Sequence, residues 1–123
     1  MKKTLIAITL LVSLFSFGVA NNMYKFGYGF NDAFWRLVWS IDEDTVWAKN
    51  FSEDKFSRVK VGMSVKDVLG LLGDPLHRDI ECINNCFWCY TWHARGNADF
   101  DQRWLVFNKN QKVEEIRKSF FID

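Results

Sequence analysis

The run from Val61 to Pro75 restricts the fold of this 123-residue chain more than any other stretch, because it writes the beginning, the buried face and the end of one short helix. Ser64 is placed to cap the first turn, and Asp67 to reach back as the shorter counterpart of a capping-box acid. Met63 and Val68 have the spacing of a hydrophobic staple. Val65, Val68, Leu69 and Leu72 fall on one helical face, which must therefore rest on something apolar. Gly73 is expected to supply a left-handed end, and Pro75 forbids continuation.

A second helix is predicted just upstream, beginning at Ser52. Glu53 and Asp54 stand at its positive end, Arg58 and Lys60 near its negative end, and Phe51 and Phe56 repeat the staple spacing. Two capped helices separated by Val61-Gly62-Met63 describe a short helical hairpin. Beyond Pro75 the apolar period changes from that of a helix to that of a strand. Strands are predicted over 77–82, 86–94, 103–108 and 112–121, with turns at 83–85, 96–101 and 108–111. The expected fold is α+β, two short helices packed on a three- to four-stranded antiparallel meander. Along 86–94, alternation puts Trp88, Tyr90 and Trp92 on one face and Phe87, Cys89, Thr91 and His93 on the other.

Gly62-Met63-Ser64, Val68, Leu71-Leu72-Gly73 and Pro75, followed by Trp88-Tyr90-Trp92, Trp104-Leu105-Val106-Phe107 and Val113, resemble in kind and order the BamE (SmpA/OmlA) family. These are small envelope lipoproteins of the outer-membrane β-barrel assembly machinery. The resemblance covers roughly residues 51 to 121 and implies the helix-on-sheet fold, no catalysis, no cofactor, and docking onto envelope proteins. β-Lactamase inhibitor proteins use the same architecture, so a secreted or periplasmic inhibitor or ligand-binding module is the alternative. Those inhibitors usually carry two tandem modules, and one is present here.

Met1-Lys2-Lys3, the apolar run from Leu5 to Val19 and the small residues Gly18-Val19-Ala20 have the three regions of a secretory signal peptide, with cleavage expected after Ala20. The family pattern calls for a lipid-bearing Cys directly after the signal, where this chain has Asn21-Asn22. The expected organisation is a signal peptide over 1–20, an aromatic-rich extension over 21–50 and the BamE-like domain over 51–123. In the extension, Tyr24, Phe26, Tyr28 and Phe30 alternate and read as an extended segment. A helix capped by Asn31 or Asp32 should follow, with Phe34, Leu37, Val38 and Ile41 on one face and Trp35 and Trp39 on its flank. It is expected to bury that face against the sheet or to dock onto protein or membrane, and Asp42-Glu43-Asp44 ends it in an acidic turn. Localisation is read as the periplasm or the periplasmic face of the outer membrane, with peripheral membrane contact.

Without Lys2 and Lys3 the chain carries 14 basic and 15 acidic residues and no basic cluster, which disfavours nucleic-acid binding. Aromatic residues reach 17%, more than a core of this size needs, so some are expected to face a partner. Trp88, Tyr90, Trp92 and Trp104 are the candidate contact set, because aromatic side chains dominate interface energetics. Cys82, Cys86 and Cys89 have the spacing of a radical-enzyme cluster motif, but a small exported hairpin is the wrong setting for one. With His93 they make a nominal zinc set, which alternation along one strand sends to opposite faces. Cys86 to Cys89 also reads as C-x-x-C, yet no helix opens there to lower a thiol pKa. A structural disulfide between Cys82 and Cys86, or between Cys82 and Cys89, is expected, leaving one thiol buried or joining two chains. His77 and His93 lack a nucleophile motif, and Asp99 and Asp101 read as a solvated turn rather than a calcium loop.

Overall fold

The N-terminal helix runs past the expected signal boundary. The computed structural model describes residues 1–79, 85–96 and 99–122, in two units, Met1–Ile41 and Asp42–Asp123. In the first, α1 spans Lys2–Phe26 and ends at Gly27, whose left-handed φ of 63° glycine adopts without penalty. Tyr24 and Phe26 are therefore helical, which corrects the extended segment read from their alternation. Helical propensity continuing from α1 overrides a period-two pattern too short to carry a strand alone. α2 spans Phe30–Val38 with Gly29 at its N-cap, and neither Asn31 nor Asp32 caps it. Within the unit α2 packs along the C-terminal part of α1. The Phe15 and Phe34 rings meet edge to face at 5.5 Å, and the Asn22 amide donates to the Ala33 carbonyl at 3.1 Å.

The second unit opens with β1, Thr45–Trp47, a strand that the sequence reading missed. Asp44, expected in the acidic turn that ends the preceding helix, also anchors β1 to the far side of the sheet, with its side chain only 8% exposed. Its backbone carbonyl accepts from Ala94 N at 3.2 Å, and its carboxylate accepts from Arg95 N at 2.7 Å. α3, Glu53–Ser57, begins where predicted, with Ser52 Oγ accepting from Lys55 N at 3.2 Å and the Phe51 and Phe56 rings 5.7 Å apart. α4, Val65–Leu72, also keeps its predicted start. Ser64 Oγ accepts from Asp67 N at 3.2 Å and donates to Asp67 Oδ2 at 2.6 Å. Its end differs in detail: Gly73 has φ 74° and ψ −162°, the extended mirror region that is essentially reserved to glycine, rather than the left-handed helix region.

The remaining strands are β2 (His77–Arg78), β3 (Cys86–Cys89), β4 (Thr91–His93), β5 (Phe100–Phe107) and β6 (Val113–Phe121). β2-β3-β5-β6 form one antiparallel sheet in that order, and β1 pairs with β4 in a second, two-stranded sheet. The structure is thus α+β with antiparallel sheets, as expected in kind. The strand predicted over 86–94 is two strands in different sheets, broken at Tyr90. There Tyr90 N donates to Arg103 O at 3.0 Å, Tyr90 O accepts from Ala48 N at 2.9 Å, and the Thr91 hydroxyl accepts from Arg103 N at 2.8 Å. A side chain thus takes a ladder position, and the strand changes partner. β5 begins three residues earlier than predicted, which removes Phe100 and Asp101 from the expected turn. Asp99 and Asp101 are buried, not solvated, and Thr45 Oγ1 accepts from Asp101 N at 2.8 Å. The 108–111 turn forms as predicted, with Asn108 Oδ1 accepting from Asn110 N at 2.9 Å. Much of the predicted 77–82 strand and 83–85 turn lies outside the described residues.

The core joins Phe56 and Val59 from α3 and its following turn, and Val68 and Leu72 from α4, to Trp88, Tyr90, Leu105, Phe107 and Val113 of the sheet segment. Met63, Val65, Leu69 and Leu71 pack around its margin. Beside it Arg103 is fully buried, at 0% exposure. Its Nε and Nη2 reach Glu53 Oε1 at 2.7 and 2.6 Å, its Nη1 donates to Gln102 O at 2.8 Å, and Lys118 Nζ lies 3.4 Å from Glu53 Oε2. Glu53 is the first residue of α3, so this pair ties that helix to the middle of β5.

Removing one member of such a pair strands a buried charge. Glu53→Gln should lower unfolding free energy by about 3 kcal/mol, whereas Glu53→Leu with Arg103→Met should recover most of it, read from urea denaturation midpoints. Ser64→Ala should cost about 1 kcal/mol through the lost cap. Hydrogen bonds from the Ser64 hydroxyl and then its backbone N–H hold the Asp67 carboxyl below the usual carboxylate range. The stability linked to Asp67 is therefore present above its unfolded pKa and lost as pH falls through the folded one. Ser64→Ala should flatten that acid limb in a pH series of denaturation curves.

Candidate functional site

The break at Tyr90 divides the four candidate aromatics. Trp88 and Tyr90 belong to the core beneath the helices. Trp88 packs on Phe107 at 4.7 Å with the Arg78 guanidinium 5.5 Å from its ring, and the Tyr90 hydroxyl donates to the Gly73 carbonyl at 2.9 Å. Burial, then the nearby Asp74, pushes the Tyr90 hydroxyl pKa upward, so it remains a donor. Trp92 belongs elsewhere: it stacks on Trp104 at 5.2 Å with the rings 15° apart. The shared face predicted for Trp88, Tyr90 and Trp92 is corrected on this point. A strand that changes sheets does not keep its alternation across the change.

Around the Trp92–Trp104 pair the fold gathers residues that no spacing in the sequence connects. His77 meets Trp92 at 5.0 Å, Phe100 lies 6.2 Å from Trp104, and Phe121 lies 5.2 Å from Phe100. Phe87 stands edge-on to Trp104 at 6.5 Å and carries the Arg117 guanidinium 5.0 Å above its ring. The register explains the assembly. Cys89 opposes Trp104, Trp104 opposes Arg117, and Phe100 opposes Phe121, so these positions share the sheet face opposite to Trp88, Leu105 and Ile116. α3 and α4 contribute to the core on the latter face. Trp104 is oriented by its indole N–H, which donates to the Thr91 carbonyl at 3.0 Å, and both Trp92 and Trp104 keep partial exposure. Trp104 is legible in the sequence as an aromatic of the kind that dominates interfaces, whereas the strand break hid its partners His77, Phe100 and Phe121.

The cysteines sort clearly. Cys86 is disulfide-bonded and Cys89 is a free, buried thiol, which excludes the Cys82–Cys89 pairing; Cys82 itself lies outside the described residues. Burial, and secondarily the charge of Asp79, pushes the Cys89 thiol up to about 12. That is the reverse of what a redox nucleophile needs. Among the described residues no three His, Cys, Asp or Glu side chains converge as metal ligands. A cleft of ≈ 450 Å³ lies over the other end of the sheet, between Arg78, Asp79, Cys86, Trp88 and Lys109.

No protein family and no curated protein matches this chain.

A thiol held at so high a pKa should not react at pH 8. Native protein treated with iodoacetamide should show no alkylation at Cys89 by mass spectrometry, and full labelling only in denaturant. Rapid native labelling would contradict the burial.

Proposed function

We propose that residues 42–123 form a non-catalytic docking module of the cell envelope. It acts on the periplasmic side of the outer membrane, in β-barrel assembly or envelope integrity, as the resemblance to BamE/SmpA/OmlA domains implies. Export is directed by the apolar N-terminal segment. The observation that carries this reading is the stacked Trp92–Trp104 pair, ringed by His77, Phe87, Phe100 and Phe121 on the sheet face opposite the α3–α4 core. Partly exposed, mutually oriented aromatics with an arginine at their margin have the composition of an interface hot spot. Trp88 and Tyr90, the other two candidates, act through the fold that presents this pair.

Trp92→Ala with Trp104→Ala should abolish site-directed photo-crosslinks from β5 to the β-barrel assembly proteins in intact cells while leaving a cooperative thermal transition. Trp88→Ala should instead destabilise the domain by about 3–5 kcal/mol. Unchanged crosslinks in the folded double variant would refute the proposed face. Recovery of the protein as a soluble periplasmic binder of a secreted enzyme would favour the inhibitor reading.

A further inference from the structure

We propose that the cleft beside the 108–111 turn binds a small carboxylate, a compound with one anionic group on an apolar body. The cleft holds ≈ 450 Å³, a volume typical of small-molecule sites. It lies on the α4 side of the sheet, away from the Trp92–Trp104 pair, so it is separate from the docking face. Its floor is apolar: the buried Trp88 and Phe107 rings lie 4.7 Å apart, and Val65 from the first turn of α4 closes one side.

Charge around the rim selects the ligand's headgroup. Arg78, which opposes Trp88 in the β2–β3 ladder, and Lys109 in the turn supply two cations, and Asp79 is the acid in the lining. Two cations and one carboxylate leave a single net positive charge. A monoanion neutralises it, whereas a dianion meets Asp79 and an uncharged compound leaves it unmatched. Asp79 is turned to the backbone of β3: its Oδ2 accepts from Phe87 N at 3.1 Å, and its own N–H donates to Phe87 O at 3.1 Å. Arg78 is more available. Its guanidinium lies 5.5 Å from the Trp88 ring, and its pairing with Asp74 at 3.2 Å joins side chains 50% and 79% exposed, an ion pair too open to hold it firmly. Lys109 is exposed and has no ion-pair partner among the described residues. A planar guanidinium presents two parallel N–H groups, the geometry that a carboxylate accepts.

The walls are shaped before anything binds. Among the described residues, the two non-glycine residues with left-handed backbone are Asn85 at φ 55° and Gln111 at φ 58°. Gln111 lines the cleft, and Asn85 adjoins the disulfide-bonded Cys86 in its lining. Gln111 is held there by its N–H, which donates to Asn108 O at 2.9 Å, and by its carbonyl, which accepts from Val65 N at 3.1 Å. Left-handed backbone is unfavourable for a side chain like that of glutamine, and such strain gathers at ligand sites. A rim fixed in advance loses little freedom when it closes on a ligand.

The test titrates the purified full chain by calorimetry with phenylpropanoate, with the uncharged phenylpropanol and with the dianion phenylmalonate. Phenylpropanoate should bind saturably, and the alcohol and the dianion should bind about tenfold more weakly or less. Arg78→Gln with Lys109→Gln removes two exposed side chains, so circular dichroism should not change, while affinity for phenylpropanoate should fall about tenfold or more. Lys60→Gln, which removes an exposed cation outside the cleft, should leave that affinity as it was. Absence of saturable phenylpropanoate binding, equal affinity for the alcohol or the dianion, full affinity in the Arg78 and Lys109 double variant, or an equal loss in Lys60→Gln overturns the proposal. None of these outcomes bears on crosslinks at Trp92 and Trp104, so the docking reading stands or falls separately.

Discussion

The second unit is organised around one ion pair, Arg103 with Glu53. A guanidinium excluded from water loses its hydration and must be compensated by fixed partners; here the Glu53 carboxylate and the Gln102 carbonyl accept from it, while Lys118 approaches the other oxygen of the same carboxylate. Glu53 also occupies the first turn of α3, where the helix dipole favours its negative charge. The geometry therefore requires three things together: α3 must start at Ser52, β5 must present position 103 inward, and β6 must bring Lys118 alongside. Apolar burial supplies the driving force for collapse, while this pair selects one register among those that collapse alone would permit.

From that register the two aromatic populations follow. With Arg103 turned toward α3, Leu105 and Phe107 line the helix-covered face, and Gln102 and Trp104 must turn the other way. Tyr90 stands where the neighbouring strand leaves the sheet; it bonds to Arg103 O on one side and Ala48 N on the other. Its hydroxyl reaches Gly73, so the end of α4 and the strand break are fastened through one residue. The strand change carries Trp92 onto Trp104. A single departure from alternation thus separates structural tryptophan from displayed tryptophan.

Much of this was legible in the residues. Both module helices start at their predicted caps, since Ser52 and Ser64 act through bonds spanning only three residues. β6 and the Asn108 turn were equally plain, because period and turn chemistry agree there. What stayed hidden depends on distant partners. β1 is three residues long and exists by pairing Thr45 with His93 and Trp47 with Thr91, across more than a third of the chain. The break at Tyr90 arises from the Thr91 hydroxyl competing with a backbone ladder, which no window along one strand reveals. Arg103 gave no local signal at all, for a buried arginine is recognised only when its carboxylate is seen beside it. The candidate site was half visible for the same reason: Trp92 and Trp104 stood out by residue type, and their neighbours required the register.

The span of these pairings shapes how the chain reaches its native state. Glu53 waits for Arg103, Asp44 for Arg95, and β1 for β4, each separated by some fifty positions. Until β5 has been synthesised, the early helices have no partner surface and must remain uncommitted. Loop closure on that scale delays productive contact and leaves Phe56, Val68 and Leu72 unsheltered meanwhile. A nascent protein of this topology completes its core only when its last strands have been made, and keeps apolar side chains open to solvent until then.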